Sequence, residues 1–431
     1  MGFTVFWFRR DLRLCDNKGL YEALRNSDQV LPLFIFDEKI LDGLPANDHR
    51  VEFIHQTLSA IHAVLHEAGS GLLVRKGKPF EVFLDLLEQY DVKNVYCNQD
   101  HEPYGRQRDD EIRNLLSSKG IGFHQFMDHL VMGLNDVVKP DGLPYTVFTP
   151  YSLRWKKNLS ESLLQHSPSE SLLERFSKVP PFEFPALASL GFESSGFEMP
   201  VANIDQDLIR NYHTTRDFPH LDGTSRLGVF LRFGTISIRS LVKMASFLNE
   251  TFLNELIWRE FYAMILYHFP RVEHESFRDE YHRISWKNND SLFELWKAGK
   301  TGFPMVDAGM RQLTATGFMH NRLRMITASF LTKNLLIDWR WGERWFAGKL
   351  FDFELSSNNG GWQWCAGTGT DAAPYFRIFN PLEQQKKIDP AKDFVLSWLP
   401  ELGSPDYPNP VIDLKQSRLQ CLAAYQFALR G

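Results

Sequence analysis

Glu255 and Trp258, in the run Glu255-Leu-Ile-Trp258-Arg259-Glu260, stand three residues apart, which puts both on one face of a helix. An acid beside a flat indole can hydrogen-bond and stack a nucleobase; an exposed Glu near a core Trp is the plainer alternative, and the pair alone favours it. In Met319-His-Asn321-Arg322-Leu-Arg324-Met325, Asn321 and Met325 share a helical face. Arg322 and Arg324 are expected to point elsewhere, toward phosphates or an acidic partner, although a solvated basic helix has the same pattern. Thr224-Ser225-Arg226-Leu227-Gly228 offers hydroxyls, a guanidinium and backbone amides suited to a pyrophosphate, or equally a helix N-cap. In Asn358-Asn-Gly-Gly-Trp362-Gln-Trp364, paired Gly and Asn beside two indoles suggest backbone packed tightly around a planar ligand rather than ordinary core packing.

Other patterns carry less. Gly367-Thr-Gly369-Thr-Asp-Ala372 spells a dinucleotide fingerprint, but it lies among helices with Pro374 close behind, not in a βαβ unit. Gly299-Lys300-Thr301 lacks the earlier Gly of a phosphate loop, since Glu294 stands there. His66-Glu67 and His274-Glu275 lack the second His of a zinc-protease helix. The cysteines at 15, 97, 365 and 421 form no CxxC pair, so neither a metal nor a disulfide framework is expected.

The elements that must position these residues fall into two halves. Apolar runs at Thr4–Phe8, Val30–Phe36, Leu72–Val74, Asn94–Cys97 and Gly122–Phe126 read as strands. Between them, Val51, Ile54, Leu58, Ile61 and Leu65 mark a helix with Asp48 near its start and Gly69 beyond its end. Strand–helix alternation predicts a doubly wound parallel sheet. The rhythm then fades in a segment punctuated by Pro140, Pro144, Pro150, Pro180, Pro181, Pro185 and Pro200. Helical spacing returns at Leu241–Phe252, Asn254–Tyr267, Met305–Thr316, Asn321–Asp338 and Ser417–Leu429. The expected organisation is an α/β domain (1–128), a long linker (129–200) and an all-α domain (201–431).

Composition agrees with a multidomain globular protein: 431 residues, 43% hydrophobic and 23% charged. Net charge is −5, mildly against a nucleic-acid binder, but it is uneven: −7 over residues 1–200 and +2 over 201–431. A local basic face can therefore coexist with an acidic remainder. No 18-residue apolar stretch suggests a membrane span, and the scattered, unpaired cysteines suit a reducing, cytoplasmic setting.

Together these segments resemble the photolyase/cryptochrome family, over nearly the whole chain. Val5-Phe-Trp-Phe-Arg9-Arg10-Asp11-Leu-Arg13 is similar to that family's first strand and loop, and the match from Lys300 through Pro381 is nearly continuous. Within the family the chain is most similar to class I cyclobutane pyrimidine dimer photolyases. The resemblance implies light-driven repair of those dimers, with an electron passing from excited reduced FAD to a flipped-out lesion. The alternative it leaves is a cryptochrome-type blue-light photoreceptor. It implies that Tyr212 and Thr224, Ser225, Arg226, Leu227 and Gly228 hold the FAD phosphates and adenine half, that Asn358 lies near the flavin ring, and that Arg324 and Asp352 pair over it. Glu255, Trp258, Asn321, Met325 and Trp364 match the substrate pocket, with Asn321 pointing to cyclobutane dimers. Trp286, Trp339 and Trp362 match the indoles that relay electrons to oxidised flavin, while Arg216, Arg322 and Arg377 match residues that grip DNA phosphates around the lesion. UV-damaged DNA is the implied partner, and a monomer is expected. For a second antenna chromophore a folate, a deazaflavin, another flavin or none stays open; Tyr104-Gly105 stands where folate-binding relatives often place Glu.

Overall fold

The computed structural model describes residues 2–178 and 182–430, so Pro180 and Pro181 of the linker lie outside the described residues. Its five strands fall where the apolar runs place them: β1 (Phe3–Phe8), β2 (Val30–Asp37), β3 (Leu73–Gly77), β4 (Val92–Asn98) and β5 (Gly122–Phe126). All neighbours pair in parallel, in the order β3-β2-β1-β4-β5. The order reverses at β1, as in a doubly wound sheet. β1 and β2 are buried almost end to end because helices cover both faces. The helix His49–Glu67 starts at Asp48, whose carboxylate accepts from the Arg50 amide at 2.9 Å.

Two compact units emerge, and they do not follow the linear division 1–128, 129–200, 201–431. The first comprises Met1–Val137, Trp155–Asn203 and Leu227–Ser246; the second comprises Val138–Arg154, Ile204–Arg226 and Phe247–Gly431. The expected linker is thus shared between them, as the helix Phe148–Asn158 and 3-10 turns at Glu161–Leu164, Ser169–Arg175 and Leu187–Leu190. In the first unit, residues 227–246 are fastened by buried charge. Asp128 accepts from Arg13 (2.6 Å) and Arg239 (2.8 Å), and Arg239 also reaches Asp16 (2.8 Å). Each charge is matched, which removes much of the penalty of burying it.

Two expected helices are interrupted. Leu241–Phe252 is two helices, Ile238–Leu248 and Glu250–His268, because Asn249 caps the second by accepting from the Phe252 amide at 3.1 Å. Asn321–Asp338 is α-helical only to Ser329. It widens into a π-turn at Phe330–Asn334, reverses through Leu336 (φ +52°), and ends at Asp338, which caps the next helix, Trp339–Ala347.

Candidate functional site

A cavity of about 430 Å³ lies inside the helical unit, within the range of small-molecule and cofactor sites. Three helices build most of its wall. Glu250–His268 contributes Glu255, Trp258, Arg259 and Tyr262, at the i, i+3, i+4 and i+7 positions of one face. Asn321–Ser329 starts at His320, whose Nδ1 accepts from the Arg322 amide at 3.1 Å; it contributes Asn321, Arg322, Arg324 and Met325. Leu355–Ala366 contributes Asn358, Gly361, Trp362 and Trp364. Every residue matched to the substrate pocket therefore meets at one wall. Arg322 and Arg324, expected to point elsewhere, line it too.

The cavity's charges are paired. Arg216 Nη1 donates to Glu255 Oε1, and Arg322 to the Asp217 carboxylate. Arg324 Nη2 lies 3.0 and 2.9 Å from the two oxygens of Asp352, the expected pair, and Arg259 Nη2 reaches Glu354 Oε1 at 2.9 Å. Burial nevertheless raises the Glu255 carboxyl above its ordinary range, with Arg216 opposing. The amide of Asn358 donates to Glu343 Oε1 at 2.7 Å, leaving its Oδ1 for the cavity. Glu343 is buried and its carboxyl is likewise raised by desolvation.

Flat surfaces dominate the rest. Phe148 lies on Trp258 with centroids 3.7 Å apart and planes 4° from parallel, and Phe261 and Tyr262 pack against the same indole at 5.5 and 5.4 Å. Trp362 packs edge-on against Phe346, centroids 4.9 Å apart. Gly342 sits under Trp362: a Cβ there would stand 2.1 Å from Cη2 of the indole and 2.6 Å from Leu331 Cδ2. A Cβ at Gly361 would meet no atom within 4 Å, which is open room at the wall. Trp339 is buried in the core that also holds Trp362, and Trp286 packs partly buried against the same core.

Other matched residues lie off the wall. Tyr212 packs against Phe252 and under Arg216. Thr224, Ser225 and Arg226 belong to the helical unit, whereas Leu227 and Gly228 fall in the α/β unit. Arg226 is exposed, at φ +50°, and pairs with Asp222. Arg377 is exposed, its carbonyl accepting from buried Lys333 Nζ at 2.9 Å. Sequence reading missed Tyr262, Arg259, Glu343 and Phe148. The first two could have been found by extending the Glu255–Trp258 face along its helix. Phe148 and Glu343 come from distant segments with no local signal.

A flavin fits this wall: the Trp258, Trp362 and Trp364 indoles, an Arg–Asp pair, the amide oxygen of Asn358 and the opening at Gly361 suit a planar heterocycle with polar edges. Two family models match the chain, one described as DNA photolyase over residues 4–171 and one as the FAD binding domain of DNA photolyase over 252–405. A deoxyribodipyrimidine photo-lyase of Synechococcus is 37% identical, covering 97% of this chain and 96% of that protein. The Escherichia coli protein of the same name is 37% identical over all of both chains. Among solved structures, an Agrobacterium tumefaciens class III photolyase matches with TM-score 0.89 and 30% identity, covering 100% of this chain and 98% of that one. A Sulfolobus tokodaii photolyase, reported with two FAD molecules, matches with TM-score 0.83 and 32% identity, covering 99% and 100%.

Proposed function

The chain belongs to the photolyase/cryptochrome family, and from that membership we propose that it is a deoxyribodipyrimidine photo-lyase acting on cyclobutane pyrimidine dimers in UV-damaged DNA. The observation that carries the reading is the single wall on which Glu255, Trp258, Asn321, Met325, Trp364 and Asn358 converge.

FAD is the cofactor, and when bound it supplies a photo-excited one-electron donor. The chain's residues do the rest. Arg324, Asp352 and Asn358 hold the flavin ring, with Tyr212 and Thr224 to Gly228 assigned to the phosphates and adenine half. A dimer turned out of the duplex stacks on Trp364 and Trp258. Glu255 hydrogen-bonds the base edge and stabilises the negative charge the lesion gains before its rings part. Asn321 and Met325 pack along the lesion. Arg216, Arg322 and Arg377 meet the flanking phosphates, and Trp362, Trp339 and Trp286 form the route by which reducing equivalents enter. The protein acts as a monomer. For an antenna the candidates are a folate, a deazaflavin, another flavin or none; in the α/β unit the Tyr104 hydroxyl donates to Asp37 at 2.6 Å.

The test is illumination of the purified protein with oligothymidylate containing cyclobutane dimers. Ultraviolet absorbance of intact thymine should recover in blue light and not in the dark; equal dark and light traces would defeat the reading. A cryptochrome-type photoreceptor is the weaker alternative. A Synechocystis cryptochrome is similar at TM-score 0.84 but only 26% identical, whereas the full-length relatives at 37% are named photo-lyases.

A further inference from the structure

Cys15, His166 and Glu170 meet on the surface of the α/β unit, with one ligand atom from each within 4.8 Å of the other two. Cys15 is exposed, while the other three cysteines are buried. Two stretches far apart in the chain bring the three together, and hydrogen bonds tie those stretches firmly. The Asn17 amide donates to Ser169 Oγ at 3.1 Å, the Ser169 hydroxyl to the Leu14 carbonyl at 2.6 Å, and the Asp16 amide to Glu170 Oε2 at 3.2 Å. The ligand positions are therefore set by the backbone before any ion arrives.

The His166 Nε2 faces Glu170 Oε1 at 2.7 Å, and its Nδ1 lies 3.6 Å from Asp16 Oδ1. Asp16 is buried and already held by Arg239 (2.8 Å) and the Ser167 amide (2.8 Å), so it is a fixed outer partner rather than a ligand.

We propose that Cys15, His166 and Glu170 form a binding site for a zinc-class dication, with solvent completing a tetrahedral set. Thiolate and imidazole select against magnesium and calcium, which take oxygen ligands, and favour zinc. Binding forms the sulfur–metal bond as the Cys15 thiol releases its proton to solvent. Thiolate and carboxylate then balance the ion's two charges. The ion clips residues 166–170 onto the loop before the helix Lys18–Asn26, independently of the assignment of the photochemical wall.

The experiment uses the full-length flavoprotein, stripped with a chelator and titrated with zinc chloride by calorimetry. Wild type should take up one saturable equivalent and melt at a higher temperature with zinc. Cys15→Ser and His166→Ala should each bind at least about tenfold more weakly, a loss of about 1.4 kcal/mol. Cobalt chloride should give a thiolate-to-metal absorption band in the wild type that Cys15→Ser lacks. Uptake and melting that are the same in wild type and both variants, or a cobalt band that survives Cys15→Ser, would overturn the proposal. So would the absence of saturable zinc uptake.

Discussion

Arg216 and Glu255 hold one another: the guanidinium matched to DNA phosphates donates to the carboxylate matched to the lesion. The pair faces the cavity, with Glu255 buried enough to raise its carboxyl and Arg216 opposing that shift. A base edge that binds Glu255 must therefore share it with Arg216 or displace it.

Removing the acid should separate chemistry from cofactor binding. A hydrogen bond to a charged group contributes about 1.5–3 kcal/mol, so Glu255→Ala should lower repair per absorbed photon by about tenfold or more. Glu255→Gln, which keeps a hydrogen-bonding amide, should lose less. Quantum-yield measurements on dimer-containing DNA check this, with the flavin spectrum showing that FAD stays bound. An unchanged yield in Glu255→Ala removes the residue from the mechanism.

Trp362 borders the cavity, Trp339 is buried in the same core, and Trp286 is only partly buried. Trp362→Phe should abolish most light-driven reduction of oxidised flavin, while enzyme reduced chemically beforehand still repairs. Photoreduction followed by visible absorbance decides it; wild-type reduction in Trp362→Phe would dismiss the relay.

His320 is buried, and desolvation, helped by Arg322 and Arg324, depresses its pKa to about 4. An unfolded histidine titrates near 6.5, so the native state binds fewer protons below that pH. Its contribution to stability is complete above about 6.5 and is lost as pH falls toward 4, about 3 kcal/mol in all. His320→Asn retains a cap acceptor and cannot titrate there. Denaturant unfolding at pH 7 and pH 4.5 should show a smaller acid loss in the variant; parallel losses would contradict this.

Salt should weaken DNA binding, with log K falling by about 0.9 per phosphate neutralised for each decade of salt. Arg377 lies over the Phe379 ring and, among the described residues, pairs with no carboxylate, whereas Asp217 already holds Arg322. Arg377→Ala should therefore reduce the slope by about one, and Arg322→Ala by less. Binding titrations across a salt series test it, and a flat wild-type response would count against a phosphate-gripping face.

Local periodicity revealed the strands and most helices, because burial on a sheet or along a helix leaves a repeating apolar mark. It also put Glu255 with Trp258, and Asn321 with Met325, since those relations depend only on helical pitch. It failed at Asn249, where the apolar pattern runs straight through a cap, and at the π-turn after Ser329. It was blind to Phe148 on Trp258 and to Asp217 on Arg322, because such contacts arise only when separate segments pack. The cluster at Cys15 was hidden for the same reason: its ligands are about 150 residues apart, with no shared motif.

Gly342 turns that limitation around. With 2.1 Å between a would-be Cβ and the Trp362 ring, even alanine at 342 would have to push the indole or its helix aside. A residue without any reactive atom thereby sets the seat of the indole proposed as an electron carrier, and a survey of chemically capable side chains would pass it over. Engineering for heat tolerance often swaps helical glycines for alanine; at this position that gain would come at the expense of the light reaction's wiring.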